Sequence, residues 1–391
     1  MKTLIELYDE RPIENVLGSE VFRPERTVFL APSEVAQNKA LQQKLRDYYA
    51  FCGLDTELIF LESSLYNSGK LLRQLQKVVE QYPDCVLDIT GGTDAALFAC
   101  GLLCAETDTP AFTYSRKRNC FFDIHNAPFA SELKCEVQHS VEACFRMAGG
   151  ALRTGRVDNA VLNKYMDSID PFFKVYLKYR SDWTKLVNYI QRASQVDKGK
   201  PIPLYVEAST VVKGERGQKI NVNESALKAL QGIGFLKSVK IADGRVSFRF
   251  KDEQVRTWLR DIGSVLELYV YKACLDTGLF NDVITSAIVD WEGDGKQGNV
   301  TNEIDVMTMQ GILPVFISCK TCDIATEALN ELSVLRDRFG GESARAIIVT
   351  TQRCRAITRH RAAELGIDVF DLDDLKKGNI GSQIKAMMGG K

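Results

Sequence analysis

Val86-Leu87-Asp88-Ile89-Thr90-Gly91-Gly92-Thr93-Asp94-Ala95-Ala96-Leu97-Phe98 is the stretch on which the fold turns. Val86 to Ile89 reads as a strand, Thr90 to Asp94 as a tight polar turn, and Ala95 to Phe98 as the start of a helix. Two glycines let the backbone come close to a ligand. The start of a helix presents free N–H groups and a positive dipole end, which suit phosphate. The same residues also read as a plain turn in which Thr93 or Asp94 caps the helix. The turn is neither the G-x-G-x-x-G fingerprint nor a Walker loop, because no Gly-Lys-Ser/Thr follows.

Outward from this stretch, short apolar runs alternate with helical patterns. Leu4 to Leu7, Val28 to Ala31, the residues near Glu57 to Phe60, and Ala111 to Tyr114 read as further strands. Phe121 to Ile124 is expected to pair beside the last of them. Helical patterns fall at about residues 36–52, 67–81 and 94–104. Such alternation implies a parallel sheet covered on both faces, with ligands beyond the carboxyl ends of the strands where strand order reverses. A second loop of that kind is Tyr8-Asp9-Glu10-Arg11-Pro12.

The chain has 391 residues, 50 Lys+Arg against 51 Asp+Glu, and a formal net charge of −1. That length suggests two or three domains. The neutral balance argues against a protein that coats nucleic acid wholesale, while leaving room for local basic patches. Residues Met1 to Glu10 carry Glu6, Asp9 and Glu10 without a long apolar core, and no apolar run reaches membrane-spanning length. The 11 cysteines are scattered. These features predict reduced thiols, no membrane contact and a cytoplasmic protein. Cys319-Lys-Thr-Cys322 matches C-x-x-C, but no second pair stands at zinc spacing, so both are expected to be buried thiols.

The middle of the chain is expected to be a connector. A helix is predicted over about 138–155, ending in Gly149-Gly150, and an aromatic-rich helical stretch over about 157–195. Glu224 to Leu236 reads as a helix, and Asp243-Gly244 between alternating runs as a hairpin turn. Helix followed by hairpin resembles a winged-helix unit.

The C-terminal third carries chemistry. A helix from Gly263 to Thr277 bears Glu267. A strand over Val283 to Val289 leads to the acidic turn Asp290-Trp-Glu-Gly-Asp294. Asn302-Glu303-Ile304-Asp305-Val306 and Val315-Phe316-Ile317-Ser318-Cys319-Lys320 are strands joined by a tight turn at Gly311. Asp305 and Lys320 are each expected to end a strand, at one edge of a sheet. Phosphodiester hydrolysis needs a divalent metal and benefits from a lysine near the water and the phosphate. Oxygen ligands suit Mg²⁺ or Mn²⁺. Arg353, Arg355, Arg359 and Arg361 lie close enough together to hold phosphates without base specificity, or to form a solvated helix face.

The order helix-Glu, strand-Asp, strand ending in Lys, helix, strand is similar to the PD-(D/E)xK restriction-endonuclease-like nucleases. That resemblance implies Asp305 as metal ligand, Lys320 as catalytic lysine and Glu267 as helix carboxylate. Ser318 stands where those nucleases usually carry an acid. The metal would then rest on Asp305, the Cys319 backbone carbonyl and waters, with Glu267 or an acid of Asp290 to Asp294, and the site would be more Mn²⁺-dependent.

Tyr8-Asp9-Glu10-Arg11-Pro12-Ile13-Glu14-Asn15 together with Asp88-Ile89-Thr90-Gly91-Gly92-Thr93 resembles a CARF domain, the Rossmann-like sensor of cyclic oligoadenylate in type III CRISPR antiviral defence. The expected fold is α/β: a CARF domain at 1–150, a helical and winged-helix-like connector at 151–260, and a restriction-endonuclease-like domain at 261–391. The combination resembles CRISPR ancillary nucleases. It implies a homodimer that binds cyclic tetra-adenylate through Tyr8, Asp9, Glu10, Arg11, Pro12, Thr90, Gly91, Gly92, Thr93 and Asp94, with Arg116 and Lys117 nearby. It further implies allosteric activation of a metal-dependent endonuclease that cleaves DNA, RNA or both, acting on single strands or nicking duplex DNA. The alternative is a CARF-type DNA-binding regulator with an inactive nuclease-like domain; a third reading is a nucleotide-metabolising Rossmann enzyme using the Thr90 loop.

Overall fold

Five apolar strands settle side by side as parallel neighbours: β1 (Thr3–Leu7), β2 (Arg26–Ala31), β3 (Glu57–Glu62), β4 (Cys85–Asp88) and β5 (Ala111–Ser115). Together with β6 (Cys120–His125) and β7 (Leu133–Lys134), they form one sheet in the order β3-β2-β1-β4-β5-β6-β7. The computed structural model describes residues 1–153, 159–197, 199–296, 298–341 and 344–389. β6 and β7 run antiparallel and close the edge. Every residue of β1 and β4 is buried, as expected of central parallel strands. Strand order reverses between β1 and β4, so the Tyr8 and Thr90 loops flank one crevice. Helices Ser68–Gln81 and Asp94–Thr107 cover one face around Leu71, Leu75, Cys100 and Leu103. Helices Leu17–Phe22 and Lys39–Phe51 cover the other.

The helix expected over 138–155 is shorter. Ser140 caps its start and Gly149, at φ +78°, lies just past its end, so it spans Val141–Met147. The chain then enters β8 (Ala151–Leu152), which pairs with the second large sheet. The expected onset of helix near 157 lies outside the described residues; beyond it run helices Asn159–Asn163, Met166–Tyr179 and Trp183–Ala193.

The connector adds β9 (Tyr205–Ser209), β10 (Val211–Lys213), β11 (Lys219–Asn221), β12 (Leu236–Ala242) and β13 (Arg245–Phe250). β12, β13 and β9 form an antiparallel sheet, with Asp243 and Gly244 both at positive φ in the hairpin turn. Helix Glu224–Gly232 stops short of Leu236 because Gly234 turns at φ +79° and Leu236 already pairs in β12. The connector aromatics are core: Phe172, Tyr176, Trp183 and Tyr189 are buried, and Phe173 stacks on Tyr269 with ring centroids 3.7 Å apart.

The second large sheet contains β14 (Asp282–Asp290), β15 (Thr301–Gln310), β16 (Leu313–Lys320), β17 (Arg345–Thr350) and β18 (Ile367–Phe370), in the order β18-β17-β16-β15-β14-β8. Helix Ser264–Asp276 packs on one face, against Val283, Val306 and Ile317. Helix Thr326–Gly340 packs on the other, against Ile304, Phe316 and Ile348. The turn of the β15–β16 hairpin reaches the first domain, where Ile312 packs with Leu4, Leu17 and Phe112. His139 ties the same turn to that domain. Its N–H donates to Gly311 O (3.0 Å), and its ring lies 2.7 Å from Glu20 Oε2. Among the described residues, no helix is long and apolar enough to cross a membrane.

Candidate functional site

At the first switch point the two loops are fitted to each other. Asp9 Oδ1 accepts from the Arg11 backbone N–H (2.9 Å) and Nε (2.8 Å), and Oδ2 from Arg11 Nη2 (2.9 Å) and the Gly92 N–H (3.0 Å). Burial raises the Asp9 carboxyl, but Arg11 and these backbone donors outweigh it and hold the group below its ordinary value. Asn15 fixes the loop base by exchanging hydrogen bonds with the Asp9 backbone. Glycine is required at both central positions. A Cβ on Gly91 would stand 2.9 Å from Asp9 Cβ, and one on Gly92 would stand 2.7 Å from Leu7 Cδ1 in a backbone at φ +96°.

The remaining residues of this crevice divide by role. Arg116 reaches the buried Glu14, and Arg11 Nη1 lies 3.6 Å from the same carboxylate. Burial raises Glu14 and the two arginines only partly offset it. Thr93 caps the helix through Ala96 N–H (3.2 Å), and its hydroxyl donates to Leu65 O. Thr90 Oγ1 accepts from Tyr114 N–H (2.9 Å). Both hydroxyls are therefore engaged within the fold. Tyr8 is half-buried, Pro12 opens a short 3₁₀ turn, and Glu10, Asp94 and Lys117 are exposed. Beneath the loops lie two acids whose roles sequence reasoning missed. Glu6 and Asp88 are paired residues of β1 and β4, both fully buried. Desolvation lifts Asp88 to about 7 and Glu6 well above its ordinary value. An acid facing inward from a central strand is the signal that marks them.

At the second sheet, Asp305, Ser318, Cys319, Lys320 and Glu267 do converge. Asp305 Oδ2 accepts from Cys319 N–H (2.6 Å) and Ser318 Oγ (3.1 Å), and Lys320 Nζ lies 3.8 Å away. The register explains this. The β15–β16 ladder runs only to Val306 and Ile317, so beyond it the Cys319 amide turns to the Asp305 side chain. Asp305 does not end its strand, contrary to expectation: β15 continues to Thr301 along β14 after it has parted from β16. Burial raises the Asp305 carboxyl, and Lys320 offsets part of this. Glu267 is pushed up to about 8, first by burial and then by the Asp305, Asp261 and Glu303 charges. Two further side chains orient the pair. Thr285 Oγ1 donates to Asp305 O (2.9 Å), and Ser286, at φ +53°, donates to Glu267 Oε2 (3.4 Å). No sequence pattern announces a left-handed serine within a strand.

Several expectations are corrected. Asp290 belongs to the fold of its own turn: it accepts from Glu292, Gly293 and Gly295 N–H groups and from Asn299, and lies 3.5 Å from Arg153. Asp294 accepts from Lys296 N–H and Asn299. Both carboxylates are engaged within that turn. Cys319 is buried as expected, but Cys322 is exposed. Arg353 pairs with Asp373 and Arg359 with Asp371, whereas Arg355 has no acidic partner among the described residues. Among the described residues no group of three His, Cys, Asp or Glu forms a metal site. The donor set at this sheet is two carboxylates plus backbone. Crowding two acids with one lysine is nevertheless the chemistry of a cation site, because a cation would relieve the charge that raises both groups.

The geometry defines a Rossmann-like α/β domain joined to a restriction-endonuclease-like α/β domain. Residues 251–386 match the family described as Card1-like, endonuclease domain. No curated protein matches the chain significantly. Among solved structures, protein VC1899 from Vibrio cholerae shares the fold with a TM-score of 0.75 at 17% identity, over 98% of each chain. Can2 from Sulfobacillus thermosulfidooxidans, in complex with cyclic tetra-adenylate, shares it with a TM-score of 0.71 at 18% identity, over 98% of this chain and 97% of that one.

Proposed function

We propose that this chain is a metal-dependent endonuclease activated by cyclic tetra-adenylate, with the N-terminal domain acting as a CARF sensor in type III CRISPR defence. The observation that supports it best is the union, over nearly the full length, of a Card1-like endonuclease domain with a Rossmann-like domain. The Can2 complex, which shares that arrangement, holds cyclic tetra-adenylate. In this reading Arg11, Arg116, Lys117 and the start of helix Asp94–Thr107 meet the messenger's phosphates, and Gly91 and Gly92 let it approach. A two-fold dimer presents the loops twice to a symmetric ring. Phe98 and Leu102, 61% and 39% exposed one turn apart on that helix, offer an apolar face for it.

A bound Mg²⁺ or Mn²⁺ supplies a water of lowered pKa and neutralises charge on the scissile phosphate. Asp305, Glu267 and the Cys319 carbonyl would hold the ion. Ser318 fixes the Asp305 carboxylate, and Lys320 presents its ammonium to the phosphate and the attacking water. The substrate is DNA, RNA or both. Messenger binding turns the enzyme on to the extent that it binds the active arrangement more tightly. The test is cleavage of plasmid, single-stranded DNA and single-stranded RNA with Mn²⁺ or Mg²⁺, with and without cyclic tetra-adenylate. Stimulated, metal-dependent cleavage is expected; no stimulation on any substrate sinks the reading. Duplex binding that responds to the messenger without cleavage, and survives Lys320→Ala, would mark the chain as a regulator.

A further inference from the structure

The outer face of the connector sheet β12-β13-β9 carries a concentration of charge that the proposed reaction leaves unexplained. Lys237, Arg249 and Tyr205 form one cross-strand row, since Lys237 is in register with Arg249 and Arg249 with Tyr205. All three side chains are exposed, Tyr205 by 49%. Lys240 lies on the same face. Its position requires a bulge. In a regular strand residues three apart fall on opposite faces, but the register shifts between Lys237 and Lys240, where Ser238 takes φ +54°. The bulge keeps both lysines outward while Leu236 and Ile241 pack with the core. Arg245 on this face is paired with Glu207 at 2.9 Å. Lys237, Lys240 and Arg249 have no acidic partner among the described residues.

Like charges directly opposite on neighbouring strands destabilise a sheet, so the Lys237–Arg249 pair opposes folding. A polyanion laid across the row removes that repulsion, and the exposed Tyr205 ring at its end suits a stacked base. We propose that this face is a second nucleic-acid contact, separate from the Asp305 site, which holds the backbone of a single strand with a base on Tyr205. The proposal rests on the reading that the chain acts on nucleic acid. The connector is linked to the Asp305 site through hydrogen bonds. Tyr176 OH donates to Thr351 Oγ1 (2.7 Å) and Arg180 Nη1 to Thr351 O (2.7 Å), while Thr351 N–H donates to Lys320 O (3.0 Å). A strand held on the connector face is therefore held by elements hydrogen-bonded to the segment that follows Lys320's sheet neighbour.

The test uses the full chain with Asp305→Ala, so that no substrate is cut, and measures anisotropy of labelled single-stranded oligonucleotides across a salt series. Lys237→Glu with Arg249→Gln should weaken binding by at least about tenfold, and the slope of log affinity against log salt should become shallower by about 0.7 per cation removed. Tyr205→Ala should weaken single-strand binding on the order of tenfold and duplex binding less. Lys237→Glu alone should melt at or above the wild-type temperature, because a repelling pair becomes an attracting one. Unchanged affinity and slope would overturn the proposal. So would a lowered melting temperature for Lys237→Glu, equal Tyr205→Ala effects on single strands and duplex, or competition by poly-glutamate as strong as by oligonucleotide. In the cleaving enzyme, Lys237→Glu should leave a short oligonucleotide cut at the wild-type rate and slow a long one; equal rates on both would also overturn it. If nothing is cut while binding behaves as stated, the nuclease reading fails and this one stands.

Discussion

Acids gather at both large sheets, yet the two sites treat them in opposite ways. In the N-terminal sheet, Asp9 and Glu14 are met by Arg11 and Arg116. In the C-terminal sheet, Asp305 and Glu267 have one lysine, 3.8 Å from Asp305, and Glu267 is raised to about 8. The first sets two arginines against its loop acids, on the side where an anion would approach. The second crowds two raised acids around one lysine, an arrangement that a cation would relieve. Arginines set against acids suit an anionic ligand, and acids crowded around a single lysine suit a metal ion.

The largest effects test the second half of that contrast. Asp305→Ala should lower activated cleavage on the order of 10³-fold and Lys320→Ala on the order of 10²-fold, measured at saturating metal. Lys320→Ala should leave the melting temperature unchanged, since its ammonium does not pack in the core. Next comes the loop fit of the first half. Gly92→Ala places a Cβ 2.7 Å from Leu7 Cδ1 in a left-handed backbone, and should cost about 2–3 kcal/mol in denaturant unfolding. Its messenger-stimulated cleavage should fall, while unstimulated cleavage by the folded fraction persists.

A melting series against pH separates the two sheets. Asp88 at about 7 and Glu267 at about 8 both stand above ordinary carboxylates in the folded protein. The fold therefore favours their protonated forms. The stability each contributes is complete below the ordinary carboxylate range and lost as pH rises through about 7 and about 8 respectively. Asp88→Asn and Glu267→Gln should each flatten that decline. Added Mg²⁺ or Mn²⁺ should restore melting temperature at high pH through Glu267 and leave the Asp88 part of the decline untouched. Restoration that is equally strong in Glu267→Gln would break the distinction. The smallest effect is expected at the link between the domains: His139→Ala should reduce the stimulation by the messenger about fivefold, a coupling of about 1 kcal/mol, and leave unstimulated cleavage unchanged.

Much of the architecture was legible. Strand-helix alternation marked the parallel sheet, and Asp243-Gly244 marked the hairpin. The Asp305 to Lys320 spacing marked the second site. The extent of β15 was not legible, because apolar alternation cannot show that one strand outlasts its partner; only the register places Asp305 beyond the end of a ladder. The acids of Asp290 to Asp294 looked like ligands by composition, and it takes the folded turn to show them bonded to its own amides. Arg353 and Arg359 read as a phosphate stripe or a solvated face, and only the fold sets Asp373 and Asp371 beside them from a later segment.

By itself the sequence determined the local chemistry: where strands and helices alternate, where glycine opens a loop, and where an Asp-Gly pair turns a hairpin. These follow from side-chain type and spacing within a few residues. Only the tertiary structure decided which acids are compensated and which are not, and that two lysines three residues apart share one face. It also decided that the β15–β16 turn is seated in the first domain's core through Ile312 and His139. Charge balance, register and domain contact depend on residues brought together from distant parts of the chain, and no local pattern encodes the distances between them.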